Sequence, residues 1–285
     1  VVAVSIVVYH SPVEHLRWAC RSLAGQTLRP DLLTVHINST SPGMAADVAA
    51  LLAESGLSSD LTQTDENIGF SGAHNAALGR AFSAGHDAVL VYNPDLALAP
   101  DALAQLMDVA ADYPGALLGP VLELADPDTL EATGLVDTVG IRWTSGGRHL
   151  DDRQGELLPQ FEPSPRRVDG ISGACLLVTR RAYDDIVGAS GEFLDEDFVA
   201  YREDAELAYR AALLGIQSYL VPTARGLHIR RLRGTARGVD AQIDLLGVRN
   251  RFLIASKYGR QRPGGAVGPW VRDAVVISSV LLRER

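Results

Sequence analysis

The sequence predicts an α/β fold built on a mostly parallel sheet with helices on both faces. Short apolar, β-branched runs alternate with helix-period segments from Val1 to Tyr92, the pattern from which parallel sheets are made. The 285 residues are 47% hydrophobic, enough for one large core. No apolar run approaches the roughly 20 residues that cross a bilayer, so the apolar content reads as core.

Val1 to Tyr9 reads as a fully buried strand, broken at His10-Ser11-Pro12. Leu16, Ala19, Cys20 and Leu23 then recur at helical spacing. Leu33 to Asn38 reads as a second strand, Met44 to Ser55 as a helix, Leu61 to Thr64 as a weak third strand, and Gly69 to Gly85 as a helix. Ala88 to Tyr92 is a short buried strand that stops at Asn93-Pro94-Asp95, and such sheets bind ligands at the carboxyl ends of their strands. Asp101 to Ala111 reads as a helix and Ala116 to Leu124 as a strand; the polar stretch up to Arg167 predicts hairpins and a mobile loop. Gly170 to Thr179 is a predicted strand, Arg181 to Ile186 a short helix, and Asp204 to Gly215 a helix with Gly215 as its stop. Gln217 to Val221 reads as a strand ended by Pro222, and Ala241 to Tyr258 as a helix. The apolar run Ala274 to Leu282 is too short to span a membrane and long enough to lie on one.

A net charge of -9 argues against nucleic acid as a partner. The charge is uneven: ten basic residues between Arg225 and Arg262 face only Asp240 and Asp244, which predicts a local cationic surface. Cys20 and Cys175 lie in apolar patterns without metal-ligand spacing and are expected to be buried thiols. The chain opens inside a strand-like run, as a trimmed chain would, with no basic-then-apolar leader; a cytoplasmic location is expected.

Asp95 follows an apolar strand directly. It reads either as an ordinary turn former or as a ligand for a hard cation, since Mg²⁺ takes one or two protein carboxylates together with phosphate oxygens. The run Asn67-Ile68-Gly69-Phe70-Ser71-Gly72-Ala73-His74-Asn75 puts glycines at a helix entry, either as a tight loop capped by Ser71 or as a seat for phosphate. It is not a dinucleotide fingerprint, lacking G-x-G-x-x-G and following the third strand rather than the first. The densest carboxylate cluster is Glu192 to Asp197 with Glu203, Asp204 and Glu206. Phe193, Phe198, Val199 and Tyr201 interleave with it, which predicts partly buried acids with shifted pKa values; helix capping is the plainer account of Asp204. His228, set among Arg225, Arg230 and Arg231, reads as a metal-diphosphate contact or as a solvated residue.

Taken in order, these segments resemble the family 2 glycosyltransferases, particularly the rhamnosyltransferase-like branch. Ser5-Ile6-Val7-Val8-Tyr9 resembles the family's first strand, Asn67-Ile68-Gly69-Phe70 its Asn-Leu-Gly-Phe, and Asn93-Pro94-Asp95 its Asn-Pro-Asp form of the Asp-x-Asp motif. Asp169 to Leu177 resembles the acceptor-side strand carrying Ser-Gly-Ala. Phe193 to Phe198 with Tyr201 to Leu207 resembles Phe-Asp-Glu-x-Phe-Phe followed by Tyr-x-Glu-Asp-x-Asp-Leu. The resemblance implies a GT-A fold: residues 1–240 form the transferase domain, with a nucleotide-binding half (1–100) and an acceptor-side half (101–240), and residues 241–285 a C-terminal helical extension.

The implied reaction is an inverting transfer of a sugar, L-rhamnose from dTDP-L-rhamnose or else a sugar from a UDP donor, to a cell-surface polysaccharide or lipid-linked acceptor. Asp95 and His228 would hold Mg²⁺ or Mn²⁺ on the donor diphosphate, Asp204 would take the acceptor's proton, and Glu203 would share that site or exchange roles with it. Tyr9, Asn38, Asn67, Gly69, Asn75, Asn93 and Arg231 are the further donor-binding candidates, with Arg230 and Arg233 as additional diphosphate contacts. A peripheral contact with the inner face of the plasma membrane and a homodimer are the implied associations. Two departures from the family pattern stand out: Ile37-Asn38-Ser39-Thr40 replaces Asp-Asn-x-Ser, where the Asp reads the base, and Glu206 replaces the last Asp. They support a rival reading as a nucleotide-sugar-binding module with impaired catalysis. A nucleotidyltransferase or a dehydrogenase is disfavoured because Tyr9-His10-Ser11-Pro12 is not a glycine-rich loop.

Overall fold

The computed structural model describes residues 1–38, 43–144, 148–230 and 239–259, with the side chains of 239–244 left aside. The first half alternates as predicted: β1 (Val2–Val8), α1 (Val13–Ala24), β2 (Leu32–Ile37), α2 (Met44–Ser55), β3 (Ser59–Gln63), α3 (Gly69–Ser83) and β4 (Ala88–Tyr92). The chain continues through β5 (Leu96–Leu98), α4 (Ala102–Asp112), β6 (Leu117–Ala125), β7 (Ala132–Thr138), β8 (Ile141–Trp143), β9 (His149–Asp151) and β10 (Arg166–Val168). Then come β11 (Cys175–Thr179), α5 (Arg180–Ser190), a 3-10 turn (Glu196–Phe198), α6 (Glu203–Leu213), β12 (Ser218–His228) and α7 (Val239–Tyr258).

The main sheet has the order β10-β12-β6-β11-β4-β1-β2-β3, with β5 on β12 and β7 on β6. β1 pairs in parallel with β2 and β4, and β12 in parallel with β6, while β11 runs antiparallel between β4 and β6. The carboxyl ends of β1, β2, β4, β6 and β12 therefore share one edge with the amino end of β11. Alternation of side chains along the strands separates two cores. Val2, Val4, Ile6 and Val8 pack with Leu16, Ala19, Cys20 and Leu23 of α1 and with α2 and α4 on one face; Ala3, Val89 and Val91 pack with α3, α5 and α6 on the other. Both cysteines are buried free thiols, as expected, and burial raises Cys20 to about 12.

Three sequence expectations need correction. Only Cys175–Thr179 of the apolar run from Gly170 pairs as a strand; the preceding amides and carbonyls serve other partners, Gly173 N–H donating to Asp204 and the Ala174 carbonyl accepting from Asn93. The strand expected to end at Val221 runs on to His228, because Pro222 sits in an irregularity between Val221 and Arg225, where a missing N–H interrupts no ladder bond. Finally, β5 was not foreseen: it is three residues long, directly after the Asn93-Pro94-Asp95 turn. The weak third strand is an edge strand and half exposed, which explains its faint apolar signal.

Candidate active site

β5 and β12 bring the first group together. They pair antiparallel with His228 opposite Leu96, and the Ile229 N–H donates to the Asp95 carbonyl at 2.9 Å. That register sets His228 Nε2 3.3 Å from Asp95 Oδ1 and 3.4 Å from Asn93 Nδ2. The other ring nitrogen, Nδ1, is 2.7 Å from Oδ2 of Asp137, a fully buried carboxylate on β7. Arg230 closes the group, its Nε 2.7 Å from Asp137 Oδ1 and its Nη1 2.6 Å from Asp151 Oδ2.

Burial opposes charge on the imidazole, but the hydrogen bonds and charges of Asp137 and Asp95 outweigh it and raise His228 to about 9. Burial likewise works to raise Asp137, and the His228 hydrogen bond and charge, with Arg230, overcome it and hold the carboxyl below its usual range. A divalent cation fits this group. With Nδ1 held by the Asp137 carboxylate, a cation that displaced the Nε2 proton would find the ring already oriented, the common arrangement behind metal-bound histidines. Two ligands each about 2.1 Å from a small cation at right angles stand about 3 Å apart, close to the Asp95–His228 separation. Among the described residues no group of three or more His, Cys, Asp or Glu is arranged to hold a cation unaided. Two protein ligands completed by a diphosphate satisfy both observations.

The second group is at the start of α6. Asp204 is half-buried; its Oδ2 accepts from Gly173 N–H at 3.1 Å and its Oδ1 from Ala205 N–H at 2.7 Å, so it is not the helix cap. Burial and the charge of Asp151 raise its pKa, with the two N–H bonds and Arg230 opposing. Glu203 is buried, with Oε2 lacking a hydrogen-bond partner, and burial with the Asp204 charge raises it to about 8. At neutral pH Glu203 therefore keeps its proton, while the two N–H donors favour the charged form of Asp204. Glu206 serves the fold: it pairs with Arg210 at 2.9 Å and with the Tyr258 hydroxyl.

The segment delivering these acids is bent through unusual backbone. Val199 has φ 60 and ψ -65 with Ala200 N–H donating to the Phe198 carbonyl at 2.6 Å, a γ-turn rarely made by a β-branched residue. Tyr201 (φ 69) and Arg202 (φ 71) are left-handed as well. The Val199 carbonyl is thereby turned onto α3, accepting from Phe70 N–H at 2.6 Å and Ser71 N–H at 3.3 Å. Gly69 must be glycine here: φ is 78, and a Cβ would meet the Val199 carbonyl at 2.6 Å.

The third group is a cleft of about 230 Å³ lined by Tyr9, His10, Asn38, Thr64, Asp65, Glu66 and Asn67. Asn38 spans it from below, donating to the Gly69 carbonyl at 2.7 Å and accepting from Ile68 N–H at 3.1 Å. Asn67 accepts from Gly69 N–H at 2.9 Å. The phosphate seat expected at this helix entry is not offered by the backbone, because the amides of Ile68, Gly69, Phe70 and Ser71 all have protein acceptors. Nor does Ser71 cap α3; its buried hydroxyl has no hydrogen-bond partner. Where the family pattern has a base-reading Asp, Ile37 is fully buried in the core, and the acids at the cleft are Asp65 and Glu66.

Other candidates are placed elsewhere. The Asn75 amide joins α3 to the acidic segment, donating to the Leu194 carbonyl at 2.7 Å and accepting from Leu194 N–H at 2.8 Å, and so does not face the cleft. Arg230 is engaged by two carboxylates rather than held free for a diphosphate. Arg231, Arg233 and the run Ala274 to Leu282 lie outside the described residues. The expected cationic surface is partly turned inward: Arg249 donates to the Asp197 carbonyl and Lys257 pairs with buried Asp195. Asp137 and Asp151 escaped sequence reasoning, although an acid between Val136 and Val139 in an apolar run was a visible anomaly.

No family model matches the chain. It is 30% identical over 243 residues to the N-acetylglucosaminyl-diphospho-decaprenol L-rhamnosyltransferase of Mycobacterium tuberculosis, covering 78% of this chain and 74% of that protein. Among solved structures it is similar to GalNAc-T7 with UDP, GalNAc and Mn²⁺, at TM-score 0.67 and 16% identity, over 93% of this chain and 52%, about half, of that one. The mannosyltransferase PcManGT from Pyrobaculum calidifontis, in complex with GDP-Man and Mn²⁺, aligns at TM-score 0.60 and 15% identity over 97% of this chain and 68% of its own. The fold is that of a GT-A enzyme. The chain belongs to the family 2 glycosyltransferases, in their rhamnosyltransferase-like branch.

Proposed function

We propose that this glycosyltransferase moves L-rhamnose from dTDP-L-rhamnose, with inversion, to a hydroxyl of a lipid-linked glycan. The observation that carries the reading is the convergence, on one sheet edge, of the Asp95–His228 pair backed by Asp137 with the hydrogen-bonded carboxylate of Asp204. Donor and acceptor class are supported by the name of the mycobacterial relative. The proposed cation is supported by the fit of Asp95 and His228 and by the Mn²⁺ in two solved neighbours.

Mg²⁺ or Mn²⁺, when bound, would supply positive charge for the departing diphosphate. Asp95 and His228 would hold it, with Asp137 orienting the His228 ring and Arg230 paired with Asp137. The cleft between Tyr9 and Asn67 takes the nucleotide base. On the acceptor side, Asp204 is oriented by the N–H groups of Gly173 and Ala205 and removes the hydroxyl proton as the new C–O bond forms. Glu203 keeps its own proton at neutral pH and so leaves that role to Asp204. Attack opposite the leaving diphosphate inverts the anomeric centre. A lipid-linked acceptor puts the enzyme at a membrane surface as a peripheral protein; among the described residues no helix is long and apolar enough to cross one.

The test is a thermal-shift panel of dTDP, UDP and GDP, with and without Mn²⁺, on the wild type and on Asp95→Ala. A ligand at a hundred times its Kd stabilises the folded state by about 2.7 kcal/mol. The expected result is a Mn²⁺-dependent rise with dTDP that Asp95→Ala abolishes. A rise with UDP alone overturns the donor, and no rise with any nucleotide overturns the site.

A further inference from the structure

We propose that Asn250 of α7 is a positioning residue: its side-chain amide holds the γ-turn segment Phe198–Arg202 in the form that sets both the proposed base and the entry of the donor-side helix α3. The inference rests on Asp204 being the base.

The Asn250 side chain is fully buried, and its Nδ2 lies 2.8 Å from the Phe198 carbonyl, 2.9 Å from that of Ala200 and 2.7 Å from that of Tyr201. The preceding residue adds a fourth contact, Arg249 Nη2 donating to the Asp197 carbonyl at 2.8 Å. In return, Arg202 Nε donates to the α7 carbonyl of Gly247 at 2.6 Å. Carbonyls from neighbouring residues do not gather on one buried point of their own accord; each repels the others and each has lost water. A group with two hydrogens and small size resolves this, one hydrogen being shared between two acceptors. Within Asp197 to Tyr201, the Val199 carbonyl points the other way, onto Phe70 and Ser71 N–H. The segment is therefore held from both sides, and it ends directly at Glu203 and Asp204.

A purely structural role for α7 is available as a contrast. Ile254 of the same helix packs against Phe198 and Ala205 through apolar contact, without a carbonyl partner. Loosening the helix there costs packing but leaves the carbonyl cluster served.

The experiment compares the full-length wild type with Asn250→Ala, Asn250→Asp and Ile254→Ala. Amide hydrogen exchange is followed at 68–72 and 198–205, and turnover of dTDP-L-rhamnose is measured on a polyprenyl-diphosphate-N-acetylglucosamine acceptor. In Asn250→Ala, exchange at Phe70 and Ser71 should rise at least tenfold while the β1 and β2 amides hold, and kcat should fall at least tenfold. Asn250→Asp, an acceptor in the same shape, should be worse than alanine. Ile254→Ala should lower the melting temperature without the kcat loss. Unchanged exchange at Phe70 and Ser71, or kcat losses in Asn250→Ala and Ile254→Ala that simply track stability, overturns the proposal. Asp204→Asn is run alongside: if it still transfers sugar, the base assignment fails by itself, whereas a dead Asp204→Asn beside a fully active Asn250→Ala removes only the clamp.

Discussion

At the scale of single residues, adjacent acids at the start of α6 stand in different surroundings. Asp204 has two N–H donors that favour its charged form; Glu203 has an orphaned oxygen and is raised to about 8. Asp204→Asn should therefore retain donor binding and lose transfer by a factor of about 10²–10⁴, the usual worth of a general base. Glu203→Gln copies the protonated form and should keep transfer at pH 7 within a few-fold. Steady-state kinetics on both variants decides the matter, and the reverse ranking would make Glu203 the base. Asp95 and Asp204 could be proposed from the sequence because each lies within a recognisable motif. Asp137 and Asn250 could not, because their roles depend on contacts 91 and 52 residues away, between elements whose pairing no local pattern reveals.

At the scale of elements, the contact between α3 and the γ-turn segment concentrates backbone strain. Three non-glycine residues with positive φ stand between 199 and 202, each costing on the order of 1–3 kcal/mol. Gly69→Ala should cost about 2–5 kcal/mol, since it adds both a strained φ and a collision with the Val199 carbonyl. Gly56→Ala is the control: Gly56 also has positive φ, at 67, but has open space around it. It should lose only about 1 kcal/mol. Equal losses in urea melts would show that the carbonyl contact carries no energy. Helices and strands of the first half were readable from period alone. β12 was cut short in the reading because a proline usually ends a strand, and the irregularity that accommodates Pro222 is a property of the pairing rather than of the sequence around it.

For the whole molecule, a buried pair against the sheet adds a slope to stability in acid. Ser5 Oγ and His74 Nδ1 lie 2.8 Å apart, both buried, and burial with the His36 charge lowers His74 to about 3. Since the unfolded chain binds a proton near pH 6.5 and the folded one does not, this histidine leaves stability intact above that pH. Stability is then lost at about 1.4 kcal/mol per pH unit as pH falls toward 3. His74→Asn should remove that slope, so the gap between variant and wild-type stability should narrow steadily from pH 6.5 to 4. A gap constant across that range would mean His74 is protonated in the folded state. The three-layer architecture was legible from alternation and composition; the place of β11 in it was not, because an antiparallel strand from late in the chain carries no mark of the neighbours it will find.

That strand has a consequence for how the protein is made. A ribosome delivers β1 to β4 first, and they can assemble into a sheet while β4 still presents a bare, apolar border. The border stays uncovered until β11 emerges and slides between β4 and β6, and β6 itself gains β12 later still. Exposed borders of this kind invite pairing with other chains. The newborn polypeptide thus passes through a stage in which its most central strand is its most vulnerable one, and a chaperone that shields β4 during translation would act at the step where yield is decided.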